Sequence, residues 1–356
     1  MKPLPGLNLI FHSIGLGGGM ERHVADLINY ASGKSIPLRV VTRQQNWPGE
    51  PPPCCEFVVI PDRTPFTRLN TLLFESRALY KCQPQWPTIG ISRVPGVVMS
   101  IVGGTHKGHL LDKKRGRVGY FDSRTIAREN EMYRQAKVIV AHSGKVAIEI
   151  ARLYDISPKK ISILYPPVNT TTFSLEARKE RDKLREQIGV APDQFLLLFP
   201  SNNHALKGAD LILEALHDFD PRIRLAVAGK TRLNAPNAIN LGFCKDMPAL
   251  YGAADAVILA SHYEAFGLVG PEAVLCGTPA LFAKTVGAAE VLSEDACIQF
   301  DRNVPSLREA LGKALNKFES NTLQLSAPAN HIKYPFSPSQ HFDQVFNLLA
   351  EAYISG

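Results

Sequence analysis

The strongest constraint on the fold is an alternation. Short runs rich in Val, Ile, Leu and Phe recur along the chain, with helical patterns between them. In the first half they span 8–14, 38–43, 56–60, 88–92, 96–102, 137–143 and 161–167. Helix candidates fill 20–31, 66–81, 122–136 and 144–154, the last with Ser143 as its N-cap. This rhythm predicts βα units and a parallel sheet. The segment "YPPVNTTTF" (165–173) breaks it, because Pro166 and Pro167 continue neither a helix nor a central strand. After a charged helical stretch, "SLEARKERDKLREQIG", the runs resume at 194–201, 223–230, 238–243, 256–261, 279–283 and 297–300. At 356 residues the chain exceeds the usual size of one domain. The expected fold is α/β: two doubly wound Rossmann-like domains, 1–168 and 169–337, facing each other across a central cleft. A final helix at 338–354 follows a Pro-rich stretch and is open to packing on either half; the segment 338–356 is expected to return to the first.

Open α/β sheets bind ligands outside the carboxyl ends of their strands, so the loops after strands are the places to search. The first is "SIGLGGGMERHVADL", where glycines 15, 17, 18 and 19 precede a helix. Glycines allow close backbone approach, and a helix N-terminus suits a phosphate. Met20 stands where the dinucleotide fingerprint needs its third glycine, the second strand runs into Arg43 rather than an acid, and no Walker GK[ST] follows. A plain tight turn remains a reading of this loop. The second is "FPSNNHALKGADLILEAL", which sets Lys207 and Gly208 at a helix start. A cation there opposes the helix dipole, a conflict that a bound anion would resolve. The third is "SHYEAFGLVGPEAVLCGTP" (261–279), with Pro271 read as the first helical residue and Glu272 in the first turn. An acid in that turn is favoured by the dipole alone. Glu264 has no such explanation. Carboxylates accept several hydrogen bonds and suit sugar hydroxyls, while amides of 266–268 suit a phosphate.

The formal charge of +7 points to an anionic partner. The excess is partly local. From Lys107 to Lys137, nine basic residues (107, 113, 114, 115, 117, 124, 128, 134 and 137) face four acids. That is either a solvated helix face or contact with an anionic membrane or phosphorylated acceptor. Nucleic acid is disfavoured, since the run lacks interleaved aromatics beyond Tyr120, Phe121 and Tyr133. The six cysteines form no CxxC pair, which suits a reduced, cytoplasmic protein. The N-terminal apolar run is too short for a signal peptide or span. The single DxD, Asp218-Phe219-Asp220, precedes Pro221 at an expected helix end and reads as surface. No metal-ligand motif is evident, so neither a metal nor another cofactor is expected.

In "EAFGLVGPEAVLCGTPAL" the spacing Glu264–x7–Glu272 resembles the signature of the family-4 retaining glycosyltransferases of GT-B fold. "GGGMERHVADL", "AHSGKVAIEIARLYDISPKKISILYPPVNTTTF", "KGADLILEAL", "LYGAADAVILAS" and "VGAAEVL" resemble the family's other blocks in the right order, across residues 15 to about 293. "IGISRVPGVVMSIVGGTH" and the basic stretch after it look most like the enzymes that build lipopolysaccharide core. The resemblance implies transfer of a sugar, most simply from a UDP-sugar, to a hydroxyl of a glycan or glycolipid. It implies that Glu272 holds the ribose and Glu264 the donor sugar. Phe266, Gly267 and Leu268 would offer amides to the diphosphate, and Lys207 would neutralise it. Gly18 and Gly19 would lie against donor and acceptor. His106 would stand near the donor sugar, with His109 as its rival. Asn202 and Gly229, at the ends of two strands, complete the expected donor-binding set. Two features depart from the family pattern. Asn202 and Leu206 stand where a second basic residue is usual, leaving Lys230, Lys284 or a first-domain residue to meet the charge. Ala288 replaces a common glycine. A nucleotide-sugar epimerase on the same fold, or a non-catalytic membrane- or polyanion-binding homologue, remain the rival readings.

Overall fold

A computed structural model of the chain describes residues 4–15, 18–112, 118–236 and 238–354. Of the residues singled out above, Gly17, Lys113, Lys114, Arg115 and Arg117 lie outside these. The chain forms two compact units, one of Met1–Pro167 with Ser337–Gly356, the other of Val168–Phe336.

The first unit holds β1 (Leu7–Ile10), β2 (Leu38–Thr42), β3 (Cys55–Val59), β4 (Thr88–Gly90), β5 (Met99–Val102), β6 (Val138–Ala141) and β7 (Ile161–Ile163). They form one parallel sheet in the order β3-β2-β1-β4-β5-β6-β7. The middle strands β1 and β5 are buried along their whole length, which is why they read as near-continuous apolar runs, interrupted only by the buried Asn8 and Ser100, rather than alternating ones. The expected strand 8–14 is shorter than its apolar run. It leaves the sheet at Ile10, and Ser13–Ile14 pairs instead with Gln44–Gln45 in a small separate ribbon. Ser143 caps the helix Gly144–Tyr154, its Oγ accepting from the Val146 N–H at 3.1 Å. The last helix, Pro338–Ile354, packs in this unit. Its Phe342, Val345, Phe346 and Leu349 share a core with Val24, Leu27 and Ile28 of the helix Gly19–Gly33, and Tyr30 donates to Asp343.

The second unit holds β8 (Phe195–Pro200), β9 (Ile223–Ala228), β10 (Ile239–Gly242), β11 (Ala256–Leu259), β12 (Ala280–Ala283) and β13 (Cys297–Phe300). Their order is β10-β9-β8-β11-β12-β13, again all parallel. Both units are thus Rossmann-like. In each the order reverses beside the first strand, and strand ends at such a switch point are where this topology places ligands. The charged stretch before β8 is more than a solvated helix. Arg181 and Arg185 converge on Asp255, which is fully buried, and the Leu196 N–H also donates to it at 2.7 Å. Arg181 further donates to the carbonyls of Ala253 (2.6 Å) and Ala254 (2.9 Å). A carboxylate with these partners is paired well enough to stay buried, and it ties the entry helix to the bases of β8 and β11.

Candidate functional site

In the second unit, three strand-end loops converge. After β8, Asn203 caps a four-residue turn, His204–Lys207, its side chain accepting from the Leu206 N–H at 3.1 Å. Lys207 therefore ends this turn, rather than starting the following helix, Ala209–Leu216. Gly208 separates the two with φ of +76°, and a Cβ there would lie 2.1 Å from the Ala260 carbonyl oxygen. Only glycine has both the backbone freedom and the room. That close approach presses the turn onto the end of β11, and the His262 N–H donates to the Leu206 carbonyl at 3.0 Å.

This geometry brings Lys207 to Glu264. The two side chains form an ion pair, and each is 21% exposed, so both remain accessible to a ligand. Glu264 has no role in the core. Its backbone is held by Gly287 N–H (3.1 Å), and Gly267, at φ +95°, turns the chain just beyond it. The N–H groups of Gly267 and Leu268 have no acceptor among the described residues. Phe266 is buried, its ring edge-on to Tyr334, so this residue can contribute only backbone. The helix that follows is Val269–Leu275, two residues earlier than Pro271 implied. Pro271 falls within its first turn, where an absent N–H costs nothing. Glu272 is 4% exposed and accepts from the Tyr251 hydroxyl at 3.1 Å. The two glutamates thus differ in kind: one accessible and paired to a cation, the other buried beside a phenol.

Asn202 bridges two of the loops, its Oδ1 accepting from the Lys230 N–H at 2.8 Å. Gly229 lies so close that a Cβ would meet the Ser201 carbonyl oxygen at 2.0 Å. Of the cations weighed as substitutes for the missing arginine, Lys284 pairs with Asp301 and Lys230 lies over the Phe243 ring. Arg302, which the sequence did not single out, reaches the same strand ends. It donates to the Ala260 carbonyl at 2.8 Å and spans both ring nitrogens of His262 at 2.8 and 3.0 Å. The DxD lies in a turn, with Asp218 exposed and Asp220 paired to Arg222.

In the first unit, Gly18 is the N-cap of the helix Gly19–Gly33, with Glu21 in its first turn. His106 opens a helix, His106–Asp112, that the sequence pattern did not announce. Its Nε2 lies 3.0 Å from Asp122 Oδ1; His109 lies on the same helix, its N–H bonded to the Thr105 carbonyl. The backbone of His106 is anchored by a residue that sequence reasoning missed. Glu129, 2% exposed, accepts from the His106 N–H at 3.0 Å, from Arg93 Nε at 2.9 Å and from the Tyr154 hydroxyl. Burial, then Glu129, push the Tyr154 phenol up. Glu75 lies across from the same arginine at 3.9 Å, and burial pushes its carboxyl up to about 7. No local signal marks this hub, because in sequence Glu129 is simply one acid in a charged helix. Burial, with the adjacent Arg43, lowers the pKa of His12 at the end of β1.

Comparison with known proteins accords with this arrangement. Residues 17–172 match the model described as Glycosyltransferase Family 4, and residues 180–333 the one described as Glycosyl transferases group 1. A probable transglycosylase of Burkholderia thailandensis is 33% identical over 357 residues, covering 97% of each chain. WaaG, a glycosyltransferase involved in lipopolysaccharide biosynthesis, superposes with a TM-score of 0.77 at 19% identity, over 98% of each chain. Anabaena HepE in complex with UDP and glucose superposes with a TM-score of 0.70 at 17% identity, over 98% of this chain and 100% of that one. The structural likenesses speak for the fold, and the full-length kinship carries the rest: the chain belongs to the family-4 glycosyltransferases of GT-B fold and is a glycosyltransferase.

Proposed function

We propose that the protein moves a sugar from a nucleotide diphosphate sugar, a UDP-sugar first of all, to a hydroxyl of a glycan or glycolipid, with retention of configuration. The observation that carries this is the accessible Lys207–Glu264 pair beside the two unbonded amides of Gly267 and Leu268. A cation and two N–H donors suit a diphosphate, and a carboxylate suits the hydroxyls of the attached sugar. In this reading Lys207 and the amides stabilise the departing diphosphate, which is an electrostatic contribution to catalysis. The bond from the anomeric carbon to the β-phosphate oxygen breaks as the acceptor oxygen bonds on the same face. The β-phosphate takes the acceptor proton, so no side-chain base is needed and Glu264 orients the sugar. Glu272, with Tyr251 behind it, holds the ribose. Asn202 and Gly229 shape the loops around the nucleotide. Gly18, Gly19 and His106 serve sugar and acceptor. The transfer itself uses no metal.

The acceptor belongs, on this proposal, to lipopolysaccharide or another cell-surface polysaccharide, made at the cytoplasmic face of the inner membrane. The named function of WaaG suggests the class. Among the described residues no helix is long and apolar enough to cross a membrane. Leu111, Val118 and Tyr120 are exposed within the basic Lys107–Lys137 segment, a combination suited to an anionic lipid surface. Binding to anionic vesicles should weaken as salt rises.

Calorimetric titration with UDP and a set of UDP-sugars, in chelator, tests the central reading. Saturable UDP binding is expected, with slow hydrolysis of the true donor that Glu264→Ala abolishes. Absence of nucleotide diphosphate binding at millimolar concentration would sink it. Conversion of the donor alone to an epimer would favour the epimerase instead.

A further inference from the structure

Three histidines far apart in the chain meet inside the first unit. His23 lies one turn into the helix Gly19–Gly33, His142 follows β6, and His341 lies in the first turn of Pro338–Ile354. All three are buried, at 2–3% exposure. Their rings meet edge to face, His23 lying 4.8 Å from His142 and 5.1 Å from His341 between centroids. Phe342 packs against two of the rings.

What distinguishes this cluster from ordinary core packing is its polar atoms. Both ring nitrogens of His23 and the Nε2 atoms of His142 and His341 are buried with no hydrogen-bond partner. Four such nitrogens in one place are expensive to leave unmet. Yet one nitrogen from each ring lies within 4.8 Å of the others. Some point therefore lies within about 2.8 Å of all three atoms (4.8/√3). Contraction by about 0.7 Å per ring would reach the ~2.0–2.1 Å of an imidazole–zinc bond. The backbone of Tyr165 is a hydrogen-bond partner of His341, an outer contact of the kind that orients metal-ligating histidines.

We propose that His23, His142 and His341 form a binding site for a borderline divalent metal ion of the zinc class, clipping the C-terminal helix to the helix that begins at Gly19 and to the end of β6. Imidazole ligands select this class over magnesium or calcium. No carboxylate or thiolate joins the three among the described residues, so water or hydroxide completes the coordination. The role is structural. The ion links the returning chain end to the helix whose first turn carries the glycine loop, and it is independent of the donor site and of whether the transfer needs a metal.

The test uses the full chain, stripped with chelator and titrated with Co²⁺ and Zn²⁺. Expected are one Co²⁺ per chain with visible d–d absorption, a rise of several degrees in the first unit's melting temperature with Zn²⁺, and at least tenfold weaker binding in His341→Gln and His142→Gln. His217→Gln, on the surface, should bind like the wild type. No d–d bands and no thermal shift in the wild type at 100-fold excess metal would overturn the site and leave a neutral histidine stack. Unchanged binding in both Gln variants would equally overturn it. Should those variants fail to fold, the wild-type stoichiometry and spectrum decide.

Discussion

Replacing Gly208 with alanine tests the close approach that sets Lys207 in place. The added Cβ would lie 2.1 Å from the Ala260 carbonyl oxygen and 2.7 Å from its carbon, where ordinary contact begins at 3.4 Å. The turn must therefore lift off the end of β11 by more than an ångström (3.4 − 2.1 = 1.3 Å). The left-handed backbone, at φ +76°, adds ~1–2 kcal/mol for any side chain, and forced repacking of this order adds ~1–3 kcal/mol. Gly208→Ala should therefore destabilise the second unit by ~2–5 kcal/mol. The same shift strains the His262 N–H to Leu206 bond and moves Lys207 away from Glu264, so UDP affinity should fall about tenfold. Gly312 supplies the control. It lies inside the helix Val304–Glu319 with nothing within 4 Å of its would-be Cβ. Gly312→Ala should stabilise the same unit by ~0.5–1 kcal/mol. Urea unfolding followed by far-UV circular dichroism reads both, and calorimetry reads UDP. A Gly208→Ala variant within ~0.5 kcal/mol of wild type, with unchanged UDP affinity, would refute the reasoning.

Lys207→Ala removes a charged donor and should weaken UDP binding by ~1.5–3 kcal/mol, about 10- to 150-fold, whereas Glu264→Ala should leave UDP affinity within a few-fold; equal losses in calorimetry would contradict the division of roles. Asp255→Asn leaves Arg181 and Arg185 facing a neutral, fully buried partner and should cost the second unit ~3–5 kcal/mol in urea. Glu75 provides a pH signature in the first unit, which holds both tryptophans, Trp47 and Trp86. Its folded pKa is raised from 4.5 to about 7, so its contribution is fully present below pH 4.5 and is lost as pH rises through about 7. Relative to wild type, Glu75→Gln should gain up to ~3 kcal/mol between pH 4.5 and pH 8, read from tryptophan emission in urea; a pH-independent difference would exclude the assignment.

Much of the architecture was legible in the chain. Strands buried on both faces are mostly apolar along their length, so β1, β5, β8 and β11 announced themselves despite the buried Asn8 and Ser100. Prolines 166 and 167 marked the break between the two series of strands. Boundaries were less legible where local pattern and tertiary pairing part company. The apolar run from Leu7 to Ile14 looks like one strand, but only its first four residues find neighbours in the main sheet. Lys207 looked like a helix start, because nothing local reveals that Gly208 is pressed onto Ala260.

The candidate site divides along the same line. Residue type and spacing within one loop identified Glu264, Glu272 and the amides between them, since a carboxylate without local purpose stands out among apolar neighbours. That one of these carboxylates is accessible and the other buried depends on what lies across from each, and Tyr251 and Lys207 come from other elements. The Glu129 hub and the His23, His142 and His341 cluster exist only once the chain has folded. Their members carry no pattern in sequence because nothing along the backbone relates them. By itself the sequence determined which strands exist and which loops hold the candidate residues, through burial and local spacing. Which buried charges find partners and which imidazole nitrogens meet was decided by long-range packing, because those energies depend on distances that only the tertiary structure sets.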